Sequence, residues 1–515
     1  MRPVLPPAHR LPLFGTVATR AIEQLGAEGL PAHALMRRAG GAVARLALAL
    51  APHARCVWIA AGPGNNGGDG LEAAVQLHRH GKPVRVTLAA DTDRLPGDAA
   101  DALARARAAG VKIDAAGAPD LDPDDIAIDA LLGIGASRAP QGRIAALIDR
   151  LNTLACPVLA IDVPTGLNVD TGQALGPAAI VARHTLALLT LKPGLFTGAG
   201  RDHAGTVWFD ALEVDSAASA PDAWLSGRHD GAAANRARRH AQHKGSFGDV
   251  AIVGGAPGMT GAALLAARAA HAAGAGRVFV NLLDSGSLTH DVLRPELMFR
   301  PEWISGPATL LANSTVVCGC GGGEVVREAL PRLLSRVARL VLDADALNAV
   351  AADPMLQTLL SARRDAGRTT ILTPHPLEAA RLLNQTTAQV QSDRLAAATR
   401  LAGRFGCVVL LKGSGTVLAA PDHTPHINPS GSAALASAGT GDVLAGWLGG
   451  LLAQSTGTQA TPPGAAGPDS VAFQTALAAT FIHGDAADRA LQSPVRAADL
   501  IEHMRLATAA SVLRA

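Results

Sequence analysis

Short apolar runs alternate along this chain with longer stretches in which Ala, Leu and Ile recur at helical spacing. The runs at 55–60, 84–89, 126–131, 158–161 and 185–191 are too short and too continuously apolar for helices and read as buried strands. Helical periodicity fills 16–50, 71–80, 98–109 and 144–151 between them. The second half repeats the alternation, with strands expected at 249–253, 277–282, 315–318, 340–343, 370–372 and 408–411. Helices are expected there at 259–273, 324–337, 376–383, 393–405, 443–452, 471–490 and 496–513. Strand–helix alternation of this kind predicts largely parallel sheets with helices on both faces, and ligand loops at their carboxyl edges. The small, polar stretch 215–221 reads as a linker. Two α/β domains follow, 1–221 and 222–515, with no internal sequence repeat.

Composition narrows the picture without changing it. At 515 residues, 48% hydrophobic and 17% charged, the chain is globular and too long for one ordinary core. A formal charge of +2 gives no field suited to nucleic acid or membrane surfaces. Tyr is absent and aromatic residues make up 3%, so stacking platforms for single strands are not expected. The cysteines at 56, 156, 318, 320 and 407 form no C-x-x-C set, which argues against zinc and against a disulfide framework. Cys318 and Cys320 read as two residues on one face of a strand. Met1–Pro12 lacks an apolar core of signal-peptide length, and no run of eighteen uncharged apolar residues occurs. A cytoplasmic location is expected.

Candidate chemistry clusters where strands end. In the first half, Gly62-Pro63-Gly64-Asn65-Asn66-Gly67-Gly68-Asp69-Gly70 follows a strand and reads as a glycine loop ahead of a helix. It matches neither a dinucleotide fingerprint nor a P-loop. Its amides and carboxylate could hold a cation or clasp a ribose and phosphate. Asp129 and Asp162 end two further strands; each alone could be a turn cap, but together with Asp69 they point into one crevice. In the second half, Ala438-Gly439-Thr440-Gly441-Asp442 precedes an apolar segment. A glycine loop at a helix start is an anion site, and a carboxylate there can accept a proton from a hydroxyl attacking phosphorus. The bland alternative is a helix N-cap. Lys244-Gly245-Ser246-Phe247-Gly248, Gly254–Ala262, Asp343 with Asp345, Thr373-Pro374-His375-Pro376 and Lys412-Gly413-Ser414-Gly415-Thr416 accompany it, and suggest one nucleotide crevice. The basic run 236–244 by itself reads as a solvated face.

The motifs GPGNNGGDG, IDALLGIG, AIDVPTGLNVDTG and LTLKPGLFTG resemble those of the NAD(P)H-hydrate epimerase (YjeF N-terminal) family over about 60–200. That resemblance implies epimerisation at C6 of the hydrated nicotinamide ring of NADHX and NADPHX in a Rossmann-like domain with bound potassium. Asn66, Asp129 and Thr165 match the family's potassium ligands. Asn65-Asn66-Gly67-Gly68-Asp69, Gly133-Ile134-Gly135-Ala136-Ser137-Arg138-Ala139 and Asp162 match its substrate-binding positions, with Asp162 as the acid/base group. The second half, from about 240 to 510, resembles the ADP/ATP-dependent NAD(P)H-hydrate dehydratases of the ribokinase-like fold. There the resemblance implies phosphorylation of the C6 hydroxyl by ADP or ATP, with ADP the preferred donor and Mg²⁺ its companion, followed by loss of phosphate. Asp442 would be the base. Lys412, Gly413, Ser414, Gly415, Thr416 and Gly441 match nucleotide positions; Ala262, Gly321, Gly323, His375 and Asp442 match hydrate positions. The chain departs from the family twice, with Gly319-Cys320-Gly321-Gly322-Gly323 for G-P-G-L-G and His375-Pro376-Leu377-Glu378 for H-P-G-E. Loss of the proline predicts a more flexible turn.

A bifunctional repair enzyme acting on NADHX and NADPHX is therefore expected, as a homo-oligomer without nucleic-acid or membrane partners. The rivals are a small-molecule kinase with a regulatory dinucleotide-binding domain and an inert dinucleotide-binding module.

Overall fold

The computed structural model describes the chain except for residues 2, 115, 116, 118, 233–237, 285–287, 457–467, 491–493 and 513–515. Residues 236 and 237 of the basic run and residue 513 of the last expected helix therefore lie outside the described residues. The chain divides into two compact units, one built mainly from Pro12–Ala223 and the other from Trp224–Ala515.

In the first unit, the strands are β1 (Val57–Ala61), β2 (Val84–Leu88), β3 (Lys112–Asp114), β4 (Ile126–Ala130), β5 (Val158–Ile161), β6 (His184–Leu188) and β7 (Thr206–Asp210). They form one parallel sheet in the order β3-β2-β1-β4-β5-β6-β7. Alternation along β1 explains the two-layer covering. Val57, Ile59 and Ala61 join the core under the helices Ala34–Leu50 and Asn65–Arg79, while Trp58 and Ala60 pack with Leu147, Ile148 and Leu151 of the helix Gly142–Asn152. The order reverses between β1 and β4, so the loops after these two strands flank the crevice where such sheets bind ligands. The predicted helix at 16–50 is two helices, Thr16–Ala27 and Ala34–Leu50. Gly29 at φ 74° and Pro31 separate them.

The second unit's central strands are β8 (Asp249–Gly254), β9 (Arg277–Leu282), β10 (Met298–Phe299), β11 (Thr315–Cys318), β12 (Arg339–Leu342), β13 (Thr369–Leu372), β14 (Val408–Leu411), β15 (Val417–Ala419) and β16 (His426–Ile427). They run β10-β9-β8-β11-β12-β13-β14-β15-β16, parallel from β10 to β14 and antiparallel through β15 and β16. The order reverses at β8, which places the turns after β8 and β11 side by side. One face packs on the helices Thr260–Ala272 and Thr440–Ala453, the other on Val326–Arg336, Ala344–Ala352 and Arg394–Phe405.

The helix Thr440–Ala453 is buried almost all round, which is why its sequence reads as a continuous apolar run. Glycines fit it into that space. A Cβ at Gly446 would stand 2.1 Å from Ala266 O, and one at Gly450 would stand 2.4 Å from Ala270 O. A third, at Gly449, would stand 2.3 Å from Val317 Cγ2. The helix therefore lies directly against its neighbour and the sheet, and this fixes where its first turn, with Asp442, must be.

Candidate active sites

In the first unit a cavity of about 870 Å³ opens at the β1/β4 switch point. Asn65, Asn66, Asp69, Gly133, Ile134, Gly135, Ala136 and Asp162 line it, together with Glu23 and Lys192. The expected glycine loop at 65–70 is instead the start of a helix, Asn65–Arg79. Its glycines serve close packing rather than loop freedom: a Cβ at Gly67 would meet Gly62 O at 2.1 Å, and one at Gly68 would meet Met36 Cε at 2.5 Å. Thus Gly67 and Gly68 carry the helix to the crevice without lining it. Ser137 and Arg138 are exposed and, like Ala139, outside the lining.

Asp129, fully buried at the end of β4, accepts hydrogen bonds from the Thr165 hydroxyl at 2.7 Å, Thr165 N at 2.8 Å and Leu131 N at 3.2 Å. Burial still pushes its carboxyl up to about 6, against those hydrogen bonds. Asn66 is 7% exposed and its Nδ2 has no hydrogen-bond partner. Asp129 and Thr165 offer hard oxygens and Asn66 an amide oxygen, ligand types that suit a hard cation, while the orphaned Asn66 Nδ2 is an N–H donor that no cation would satisfy. The residues present fit potassium.

Asp162 follows β5 in a left-handed conformation, φ 67°. Its Oδ1 receives the Leu188 N–H at 3.2 Å and pairs with Lys192 Nζ, which also donates to Leu188 O at 2.7 Å. Lys192 is 1% exposed. A buried ammonium survives only with such partners, so the pair is built into the fold. Nearby, burial and then Asp162 raise the Asp69 carboxyl well above its usual range, and the same two causes raise Glu23. Lys192 and Glu23 carried no role in the sequence reading. The signal for Lys192 was a single charge ending the apolar run 185–191; Glu23, on an exposed-looking helix, gave none.

In the second unit, Asp442 is the third residue of the helix Thr440–Ala453, whose N-cap is Gly439 at φ 89°. The helix thus begins three residues earlier than expected, and Asp442 sits within its first turn rather than capping it. Burial, then Asp343, raises the Asp442 carboxyl to about 6, while a hydrogen bond from Cys320 works the other way. Asp343, at the end of β12, accepts from Lys412 Nζ at 2.7 Å and from the Thr373 hydroxyl at 2.7 Å. Burial opposes charge on Lys412, yet Asp343 and Glu378 hold its ammonium above the usual range. A Cβ at Gly441 would lie 3.4 Å from Lys412 Nζ, so the Gly439–Gly441 turn and this lysine meet.

The 412–416 loop is anchored from beneath. Arg394, 1% exposed, donates to Leu411 O at 3.1 Å and Lys412 O at 3.2 Å. Gly413 at φ 133° lies against its guanidinium. Ala262 and Gly321 are neighbours, since a Cβ at Gly321 would reach Ala262 Cβ at 3.0 Å. The turn at 319–323 is held by Gly255 N–Cys320 O (3.0 Å), Ala256 N–Gly321 O (2.7 Å) and Gly323 N–Asp345 Oδ2 (2.9 Å). Cys320 is not on a strand face with Cys318: β11 ends at Cys318, Gly319 at φ 118° turns the chain, and Cys320 is buried in the turn. His375 caps the helix Pro376–Leu383, its Nδ1 accepting from Leu377 N at 3.1 Å and Glu378 N at 3.3 Å. Leu377 points outward, 45% exposed.

Two family models match the chain: YjeF-related protein N-terminus at 32–194 and NAD(P)H-hydrate dehydratase at 250–506. The bifunctional NAD(P)H-hydrate repair enzyme Nnr of Escherichia coli is 37% identical over 473 residues, covering 89% of this chain and 85% of that protein. The enzyme of the same name from Coxiella burnetii is 35% identical, covering 96% and 99%. A solved ADP/ATP-dependent NAD(P)H-hydrate dehydratase from Bacillus subtilis, co-crystallised with ATP/Mg²⁺, is 26% identical and covers 55% of this chain and 96% of its own, at a TM-score of 0.42. With both family models in register on its two units and relatives matched almost end to end, the chain belongs to the bifunctional NAD(P)H-hydrate repair enzymes.

Proposed function

We propose that the first unit epimerises R- and S-NAD(P)HX and that the second dehydrates the S epimer to NAD(P)H at the expense of ADP, giving AMP and phosphate. The observation that carries this is a pair of half-buried carboxylates, Asp162 and Asp442, each beside a lysine-bearing network at the carboxyl edge of the parallel strands of its own sheet.

In the first unit, Asp162 moves a proton at the C6 hydroxyl. The hydroxyl leaves as water while the ring nitrogen supplies electrons, and water returns from either face and gives up a proton. Lys192 holds the Asp162 carboxylate in place and offsets its charge. Asn66, Asp129 and Thr165 would hold potassium, whose charge supplies substrate orientation when bound.

In the second unit, Asp442 takes the proton of the C6 hydroxyl as its oxygen attacks the terminal phosphorus of ADP, which enters as its magnesium complex. AMP leaves. The new phosphate ester then departs as inorganic phosphate with loss of a proton from C5, restoring the ring double bond. Lys412 and the N–H groups around Gly439–Gly441 face the charge that develops on the phosphoryl oxygens. Lys412–Thr416 cradle the nucleotide, and Ala262, Gly321, Gly323 and His375 border the hydrate.

Absorbance at 340 nm tests the reading directly, with mixed R,S-NADHX, potassium and ADP. Complete conversion is expected. A plateau at the S fraction would remove epimerisation from the first unit. A stable phosphorylated product without NADH would point to a kinase instead.

A further inference from the structure

Cys320 stands in this chain's turn where the G-P-G-L-G pattern has proline, and its side chain reaches the site. Its side chain is fully buried, and the ligand atoms of Cys320, Asp343 and Asp442 all lie within 4.8 Å of one another. We propose that the Cys320 thiol is a positioning group for Asp442, donating its S–H to the carboxylate and holding it as a proton acceptor for the substrate hydroxyl. The proposal rests on the reading of Asp442 as the base.

Two observations support it. The thiol is fixed, because the backbone before it is tied to the end of β8 by Gly319 N–Val253 O (3.0 Å) and the backbone after it to the following turn by the Cys320 O and Gly321 O hydrogen bonds. The thiol stays protonated, and so remains a donor, because burial, then Asp442 and Asp343, push it well above its usual range. The neighbouring cation, Lys412, bonds Asp343 at 2.7 Å and acts on Asp442 through its charge. Among the described residues, the remaining charged or titratable groups around Asp442 are Asp343, Asp345 and Lys412, with His375 and Glu378 beyond the lysine. His483 stands behind the first turn, its Nε2 2.9 Å from Thr440 O. Of these, Asp343 and Asp345 disfavour the ionised base, whereas Cys320 and Lys412 favour it.

The experiment compares pH profiles of dehydratase kcat/KM for the full-length wild type, Cys320→Ser, Cys320→Ala and Cys320→Val, with ADP and S-NADHX. Thermal melting and epimerase activity report folding in each. Ala and Val remove the donor, so the acid limb moves to higher pH by roughly half a unit to one unit, a ~3–10-fold loss below the limb that shrinks toward the alkaline plateau. Ser keeps a donor and holds the limb at or below the wild-type position. Val fills the space and keeps the comparison valid should the Ala variant melt early. An unshifted limb in Ala and Val overturns the proposal, as does an equal loss in all three variants at every pH, which is what a purely structural cysteine would give. A wild type that turns over no hydrate sinks the Asp442 reading and this proposal together; a working wild type with unshifted variants sinks the proposal alone.

Discussion

Lys412 Nζ lies 2.7 Å from Asp343 Oδ1, joining the end of β14 to the end of β12 beneath the first turn of the Asp442 helix. The pair brings residues 69 positions apart into one charge network, and it leaves the lysine's other donors available to phosphoryl oxygens. Replacing Lys412 by Met should leave Asp343 buried without its cation. Dehydratase kcat/KM is expected to fall about 10²–10³-fold, as for loss of a transition-state donor. Steady-state kinetics with ADP checks this; a change confined to KM would restrict Lys412 to binding.

Asp442→Asn should remove the base and lower dehydration about 10²–10⁴-fold. Epimerisation, carried by the other unit, should persist. Following loss of the R epimer by chromatography in the absence of ADP separates the two activities. Equal loss of both would end the assignment of one activity to each unit.

Asp162→Asn should do the reverse, and Lys192→Met should follow it, because the lysine acts through Asp162. Both substitutions are expected to slow epimerisation by about 10²-fold or more while NADH still forms from pure S-NADHX. Full epimerase activity in either variant would detach that residue from the chemistry.

Dehydration should depend on pH through Asp442. Its carboxyl is raised by burial and Asp343 to about 6, and it must be ionised to accept a proton. Activity is therefore present above pH ~6 and should fall about tenfold per unit below it, well above the range of an ordinary aspartate. A kcat/KM profile flat to pH 5 would contradict this.

Potassium should stabilise the first unit. Asp129 is fully buried, with the Thr165 hydroxyl against it and its carboxyl raised by burial, so a cation held by these oxygens would offset charge that folding leaves desolvated. Melting temperature and epimerase rate should both rise when potassium replaces a bulky organic cation. Asp129→Ala should abolish both responses. A potassium-independent wild type would remove the ion from this site.

Arg394→Ala should loosen the 412–416 loop. The guanidinium is buried beneath carbonyls of Leu411 and Lys412, and its removal takes away their charge-assisted hydrogen bonds, at a cost of about 1.5–3 kcal/mol each. A raised KM for ADP with a lower melting temperature is expected; an unchanged KM would mean that the loop holds its shape alone.

Much of this was legible in the sequence because the signals are local. Continuously apolar strands announce a parallel sheet, and motifs such as Asn65–Asp69 or Gly439–Asp442 occupy contiguous positions. The edge strands β3, β7 and β10 and the short strands β15 and β16 were not anticipated; β3, β10, β15 and β16 have only two or three residues each, too few to show a period. Helix starts were misplaced at Asn65 and Thr440 for another reason: glycine, which sequence rules read as a breaker, is demanded there by backbone contacts with Gly62 and by close approach to neighbouring helices.

By itself, then, the order of residues determined the fold class, the two-part organisation, the family and the carboxylates at the strand ends. Only tertiary structure decided which partners those carboxylates have. Lys192 reaches Asp162 across 30 positions, Thr165 reaches Asp129 across 36, and Lys412 reaches Asp343 across 69. Cys320 comes to Asp442 because the turn after β11 meets the helix Thr440–Ala453. Burial and pairing set the charge state of each group, and both are properties of atoms that the chain brings together only when it is folded.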